Sequence, residues 1–125
     1  MPEIISNVAE IGFGVLFIVG AIFHLSYTLR HGTETYEGFA ANAWLSPYRE
    51  LIRNVIIPRA TSFTVLLISF QASIGLMLLT RGSLVKPALI AGALFSLVIV
   101  PASNVRGTMA NLILAAVLIL LVLSN

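Results

Sequence analysis

Four polar residues within or beside long apolar stretches are the best candidates for chemistry in this sequence: His24, Ser62, Asn104 and Asn111. Polar side chains are costly inside a membrane, so each one at that depth indicates either a binding site or a contact between helices. Histidine is the most versatile of them. Its unperturbed pKa of about 6.5 lets it donate, accept or relay a proton near neutral pH.

The positions of these residues predict that they share one layer. His24 comes five residues before the end of its apolar stretch, about 8 Å along a helix. In a bundle of four helices, the second and fourth stretches begin on that side and the third ends there. The predicted layer contains His24, Ser62, Asn104 and Asn111, with Arg59 and Arg106 beside it.

Two interpretations of this layer stay open. In the first, it is a pocket for a polar head group, such as a quinone ring or a lipid, and His24 makes the hydrogen bond. In the second, its members bond one another and fix the packing of the helices. Haem binding is disfavoured, because His24 and His31 would lie about 10.5 Å apart on one helix face and could not ligate the same iron.

Several other kinds of site are excluded. Cysteine is absent, which rules out disulfides and Cys-ligated metals. The sequence contains no paired carboxylates, phosphate-binding loop, metal-ligand cluster or catalytic triad. We therefore predict no metal ion, no cofactor other than a quinone or a lipid, and no independent catalytic activity.

Small residues predict close helix packing at another depth. Gln71 would lie about 21 Å from the side that holds His24, which is too far for a direct pair. At that level the first helix offers Gly14, so we expect the Gln71 amide to bond a neighbouring backbone carbonyl. Gly75 and Gly92 are assigned to the same packing role, because small residues let helices approach closely.

The elements that must position these residues are membrane-spanning helices. Of 125 residues, 58% are hydrophobic and 10% are charged, whereas soluble domains average about 45–50% and about 25%. A fold of this size cannot hide such an excess, so its outer surface must face lipid. We predict an all-α fold: an integral membrane four-helix bundle that forms a single domain. The spans are predicted at about residues 11–29, 57–80, 84–104 and 108–125.

The connection between the first two spans, residues 33–56, has a helical periodicity of its own. Its apolar residues recur at helical spacing in two successive stretches, which predicts two short amphipathic helices lying at the membrane interface. Tyr36, Trp44 and Tyr48 are the predicted anchors among the lipid head groups. The alternative is an irregular, solvated loop.

Charge predicts an orientation in a cell membrane. One side of the bundle would carry Arg30, Arg49, Arg53, Arg59 and Arg106, and the other Arg81 and Lys86. The positive-inside rule then places the long connection in the cytoplasm and both termini outside. The first ten residues lack Lys and Arg, so we expect the first apolar stretch to be retained rather than removed as a signal peptide. The net charge of +2 is too small to indicate a surface that binds nucleic acid.

Short motifs carry a family resemblance along most of the chain. The first span contains GAIFHL at residues 20–25, and the connection contains YEGFA at 36–40, then Tyr48 and Arg49. After Pro58, the second span contains QASIGL at residues 71–76. In these motifs and in its four spans the chain resembles the DoxX-like family of small four-helix membrane proteins.

The resemblance implies a function as well as a fold. It implies a small non-catalytic or accessory subunit of a membrane redox or bioenergetic complex, with membrane lipids and other membrane subunits, or a second copy, as partners. Family members often have Glu where this chain has Gln71, so a proton-linked role loses its ionisable group. The alternative hypothesis is a free-standing membrane protein that binds a lipid or quinone through the layer around His24.

Overall fold

The first helix begins earlier than its apolar stretch. The computed structural model describes residues 2–102 and 105–124. α1 spans Glu3–Phe23 and continues as a π-helical turn, His24–Thr28. Glu3 lies in the first turn of α1, where the helix dipole favours an acidic side chain. The predicted span, which starts at residue 11, leaves out this polar beginning of the helix.

Helices make up almost all of the remaining described chain, and no strand occurs in it. The connection folds into α2 and α3, and α3 runs through a π-helical turn and a 3-10 turn into α4. A second 3-10 turn follows α5. The bounds are α2 Gly32–Asn42, α3 Ser46–Leu51, π turn Ile52–Ile56, 3-10 turn Ile57–Arg59, α4 Ala60–Leu79, α5 Val85–Ile99, 3-10 turn Val100–Ala102 and α6 Val105–Ser124.

In the part of the chain that the structure describes, four continuous helical segments are long and apolar enough to cross a membrane. They are Glu3–Thr28, Ser46–Leu79, Val85–Ala102 and Arg106–Ser124. A membrane span needs about 20 mostly apolar residues, and each segment reaches or approaches that length. The prediction of an all-helical chain with four apolar helices of membrane length is confirmed.

The four long helices form two antiparallel pairs that pack together. α1 lies along α4, α5 lies along α6, and α4 also contacts α5. A dense apolar core fills the half of the bundle nearest the two chain ends, which we call the terminal half. Its fully buried members include Ile74 and Leu78 of α4, Leu89 of α5, and Leu118 and Leu121 of α6.

A close approach of two glycines sets the register between α1 and α4. A Cβ atom on Gly75 would lie 2.6 Å from a side-chain carbon of Ile18 and 2.9 Å from the Gly14 carbonyl oxygen. A Cβ on Gly14 would in turn lie 3.2 Å from the Gly75 carbonyl oxygen. Only glycine permits backbones to come this close. Gly75 therefore faces Gly14, and Gln71 on α4 lies beside a later part of α1.

We expect Gly75→Ala to lower the free energy of unfolding by about 1–3 kcal/mol, because the new methyl group must push two helix backbones apart. Gly12→Ala is the matched control. A Cβ at Gly12 meets no heavy atom within 4 Å, so that variant should be neutral or slightly stabilising. Chemical unfolding in mixed micelles measures both. Equal effects of the two substitutions would contradict the close approach.

The connection covers the other end of the bundle, and we call residues 32–56 the lid. A small core of Tyr36, Ala40 and Ile52 packs it against the start of α4. Arg49 holds the two lid helices together, because its Nη2 donates to the Ala43 carbonyl over 2.8 Å and its Nε to the Ala40 carbonyl over 3.3 Å. The lid is therefore helical and docked on the bundle.

Further contacts fix the lid in place. Arg53 Nη2 lies 2.8 Å from Glu37 Oε1, an ion pair that joins the π turn to α2. The Trp44 ring is 58% exposed, and its indole N–H donates to the Val100 carbonyl over 3.1 Å. Tyr36, predicted as a head-group anchor, is only 2% exposed and lies in the core. The apolar face of α2 that suggested lipid contact packs on protein at this position.

Candidate functional site

A large cavity lies between the four long helices, on the lid side of the terminal half. Its volume is about 770 Å³, and each of the four helices and both lid helices contribute to its lining. Most of that lining is apolar, including Phe17, Phe63, Leu67, Phe95 and Leu114. Pockets that bind small molecules typically have volumes of about 300–1,000 Å³ and mostly apolar walls, as this cavity does.

His24 lines this cavity from a distorted part of the first helix. A hydrogen bond of 2.8 Å joins its Nδ1 to the hydroxyl of Thr28, a fully buried residue one turn further on. The Phe23 ring contacts the imidazole edge to face, with centroids 5.6 Å apart. Nε2 has no hydrogen-bond partner among the described residues. π-helical turns occur often at functional sites, because they re-aim one side chain out of the regular helix.

Gln71 lines the same cavity from α4 and carries an unsatisfied acceptor. Its side chain passes beside Gly20, where an added Cβ would lie 3.3 Å from Gln71 Nε2. Gln71 is 8% exposed, and its buried Oε1 has no hydrogen-bond partner among the described residues. The predicted bond from this amide to a backbone carbonyl is not formed by any described residue. A buried acceptor without a donor is costly, which makes this atom a candidate for contact with a ligand in the cavity.

Two other polar residues in the cavity wall are satisfied within their own helices. Asn111 is half-buried, and its Nδ2 donates to the Gly107 carbonyl over 2.9 Å. The Ser96 hydroxyl donates to the Gly92 carbonyl over 3.0 Å and is fully buried. These side chains make the wall more polar, but the donor atoms named here already bond a carbonyl of their own helix.

Tyr36 closes the lid end of the cavity. Its hydroxyl shares a 2.6 Å hydrogen bond with the hydroxyl of Thr64 on α4, and its ring meets Phe63 edge to face at 5.4 Å between centroids. Burial raises the pKa of Tyr36, and the bond to Thr64 offsets part of that rise. The phenol is therefore neutral at any physiological pH. Tyr48, the other predicted anchor in the lid, is half-buried and also lines the cavity.

The structure brings together only part of the predicted layer. His24 and Asn111 line one cavity, whereas Ser62, Arg59 and Arg106 are exposed and lie outside its lining. Asn104 lies outside the described residues. The Gly14–Gly75 contact explains the displacement of Ser62, because it shifts α4 by about one turn relative to the register in which the apolar stretches end together.

The same shift brings Gln71 into the site. Gly20, one turn before His24, lies beside Gln71, so the two polar residues differ in depth by only about 6 Å. A Cβ on Gly92, a residue assigned to packing, would lie 3.0 Å from the Phe17 ring. That ring lies at the boundary between the cavity and the dense terminal half.

An ion pair at the terminal end escaped the sequence analysis. Arg81 Nη2 lies 2.7 Å from Oε1 of Glu10, which is completely buried, and 2.7 Å from Oδ1 of Asn7. Arg81 also has a φ of 57°, an uncommon left-handed conformation for a residue other than glycine. The available signal was the spacing of Glu10 with the buried face of α1, in step with Gly14 and Phe17.

The described residues contain no group of three or more His, Cys, Asp or Glu side chains that could hold a metal ion. Comparisons of this chain with models of known protein families, with curated proteins and with solved structures find no match. The cavity and the polar atoms in its wall are therefore the features that indicate a function.

Proposed function

We propose that this chain is an integral membrane protein that binds a lipid-soluble amphiphile, a lipid or a quinone, in the cavity between its four long helices. The observation that carries the proposal is the cavity of about 770 Å³ with mostly apolar walls and two polar atoms that have no hydrogen-bond partner among the described residues. Those atoms are Nε2 of His24 and Oε1 of Gln71. An apolar body with a polar head matches this lining.

The membrane arrangement is part of the proposal. The exposed side chains of the long helices are largely apolar, as a lipid-facing surface requires, and the lid would lie at the head-group level with Trp44 outermost. Most of the arginines lie on the lid side, which favours a cytoplasmic lid and external termini. The cavity would then lie just beneath the head-group region, with the lid between it and the membrane surface.

The test compares thermal unfolding of the purified protein with and without ligand. A benzoquinone with a decyl tail and a lipid extract are the two probes. A ligand that binds only the folded state stabilises it by about 2.7 kcal/mol at 100 times its Kd, so the melting temperature should rise. His24→Phe keeps an aromatic ring in the wall but loses the hydrogen-bonding nitrogens, and it should remove most of that rise.

His31→Phe is the matched control, because His31 is exposed and lies outside the lining of this cavity. It should leave the ligand-induced rise unchanged. If neither probe shifts the melt of the unmodified protein, the binding function is wrong and the His24–Thr28 bond serves helix packing. In that case His24→Phe should still lower stability, by about 0.6–2 kcal/mol.

A second candidate is an accessory subunit of a membrane redox or bioenergetic complex, supported by the resemblance to the DoxX-like family. The helix faces with exposed leucine, isoleucine and valine could contact a larger subunit as well as lipid. Purification from native membranes separates the two functions. Co-migration with large subunits supports the accessory role, and a solitary monomer or dimer that carries bound lipid supports the binding protein.

A further inference from the structure

We propose that the ligand carries a hydrogen-bond donor, a hydroxyl or N–H group, which it presents to Oε1 of Gln71. This inference rests on the proposed binding function and specifies the chemical class of the head group. Its starting point is that the Gln71 side chain is more than nine-tenths buried, lines the cavity, and leaves this oxygen without a partner among the described residues.

The surrounding wall explains why the protein does not supply the missing donor. Gly20, the residue on α1 that the amide passes, has no side chain. The Ser96 hydroxyl donates to a carbonyl of its own helix, and so does Nδ2 of Asn111. The Tyr36 hydroxyl is engaged with Thr64. These groups are thus engaged with other partners, and Gln71, which lines the cavity, can bond a molecule there once its buried amide oxygen turns toward the cavity.

The missing partner selects between head groups of similar size. A carbonyl oxygen of an amide accepts hydrogen bonds and donates none, so an ether, ketone or ester oxygen placed against it would leave both acceptors unsatisfied. An alcohol, phenol or amide N–H would form the bond, so of the two redox forms of a quinone the quinol, which has hydroxyl groups, would bind more tightly than the oxidised ring. His24, about 6 Å nearer the lid along the helix, is free to bond a second polar group of the same molecule.

The experiment uses two probes that differ in this one proton, dodecylphenol and its methyl ether. Their affinities are measured by titration calorimetry on the full chain in lipid nanodiscs, for the unmodified protein and for Gln71→Met. Methionine keeps nearly the same length and removes the acceptor. We expect the phenol-to-ether affinity ratio to be about tenfold larger in the unmodified protein than in Gln71→Met. Comparing ratios cancels the unequal partitioning of the probes into lipid.

Each outcome decides a different question. If both probes bind and the ratio is the same in the two proteins, a water molecule or another group satisfies Gln71, and this inference is wrong while the binding function stands. If neither probe binds the unmodified protein, this inference is wrong, and the melts with the quinone and the lipid extract decide whether the binding function stands. Gln71→Leu is the second variant and should give the same ratio as Gln71→Met. Ser73→Met, at an exposed position of the same helix, should keep the ratio of the unmodified protein.

Discussion

Replacing Arg81 with methionine should lower the free energy of unfolding by about 3–5 kcal/mol, whereas replacing Glu10 with glutamine should cost only about 1–2 kcal/mol. The asymmetry follows from burial. The Glu10 side chain is fully buried, so the loss of Arg81 removes a short ion pair from a carboxylate that water cannot reach. The Arg81 side chain is 32% exposed, so after the loss of Glu10 the guanidinium can still reach water or a lipid phosphate.

The ion pair has a large effect because it joins α1 to α4 at the terminal end of the bundle. Arg81 follows the last turn of α4, where its Nη1 donates to the Leu78 carbonyl over 3.4 Å, while Nη2 bonds Glu10 and Asn7 on α1. Two short bonds to a buried acid and an amide offset the cost of its left-handed backbone conformation. Without them, the terminal end of the pair should fray.

Chemical unfolding in mixed micelles measures the single variants, and the double variant Glu10→Gln with Arg81→Met completes a thermodynamic cycle. We expect the double variant to be more stable than Arg81→Met alone, because it no longer holds the buried carboxylate of Glu10. Lys86→Met removes an exposed cation near the same end and should change the free energy of unfolding little. Additive effects in the cycle would show that Glu10 and Arg81 are not coupled.

The sequence predicts the helices well because hydrophobicity alone identifies them. Long apolar stretches must be helical in lipid, and arginine, glycine and proline mark their ends, so the four long helices and the two short ones of the lid follow from local patterns. The first residue of a helix is harder to predict than the helix itself. The first span was predicted to begin at about residue 11, whereas α1 begins at Glu3 and Glu10 is a buried residue of that helix.

The register between helices is not a local property, and this explains the errors in the predicted site. An apolar helix can slide along another with little change in hydrophobic burial, so aligned ends gave Ser62 as the neighbour of His24. The actual register depends on where backbones can touch, at Gly14 and Gly75. It moves Ser62 away from the site and places Gln71 within about one turn of His24.

The cavity could not be predicted either, because it arises from the difference in packing between the two halves of the bundle. Large side chains such as Ile74, Leu78 and Leu118 fill the terminal half, whereas the helices on the lid side leave space that the lid covers. Whether side chains fill a gap depends on how they pack in three dimensions rather than on their residue types alone. The polar residues were visible in the sequence, but not the space that they face.

The lid should detach from the bundle when Tyr36 is replaced with alanine. The ring is 2% exposed, packs against Phe63, and carries the hydroxyl that bonds Thr64, so its removal should cost about 3–5 kcal/mol of local stability. Tyr36→Phe keeps the ring and leaves the Thr64 hydroxyl without its partner, which should cost about 1–2 kcal/mol. The loss should be confined to the lid, because the apolar core of the terminal half contains no lid residue.

Hydrogen exchange of the backbone amides measures this loss of stability for each region of the chain. In Tyr36→Ala, amides of residues 32–56 should exchange much faster, while those of α5 and α6 near Leu89 and Leu118 should keep their protection. Tyr27→Ala removes an exposed ring that stacks on Phe23, and it should leave lid exchange unchanged. Faster exchange throughout the chain would show instead that the lid and the bundle unfold as one unit.

The raised pKa of Tyr36 gives the same contact a dependence on pH. Burial disfavours the phenolate, so the folded lid holds the neutral phenol more tightly than the unfolded chain does. The stability from this preference is fully present below pH 10 and is lost as pH rises through the raised pKa of the folded state. Lid exchange in the unmodified protein, relative to Tyr36→Phe, should therefore accelerate only above about pH 10. A difference between these two proteins that stays constant up to that pH and beyond it would mean that Tyr36 reaches solvent and that the lid does not close the cavity.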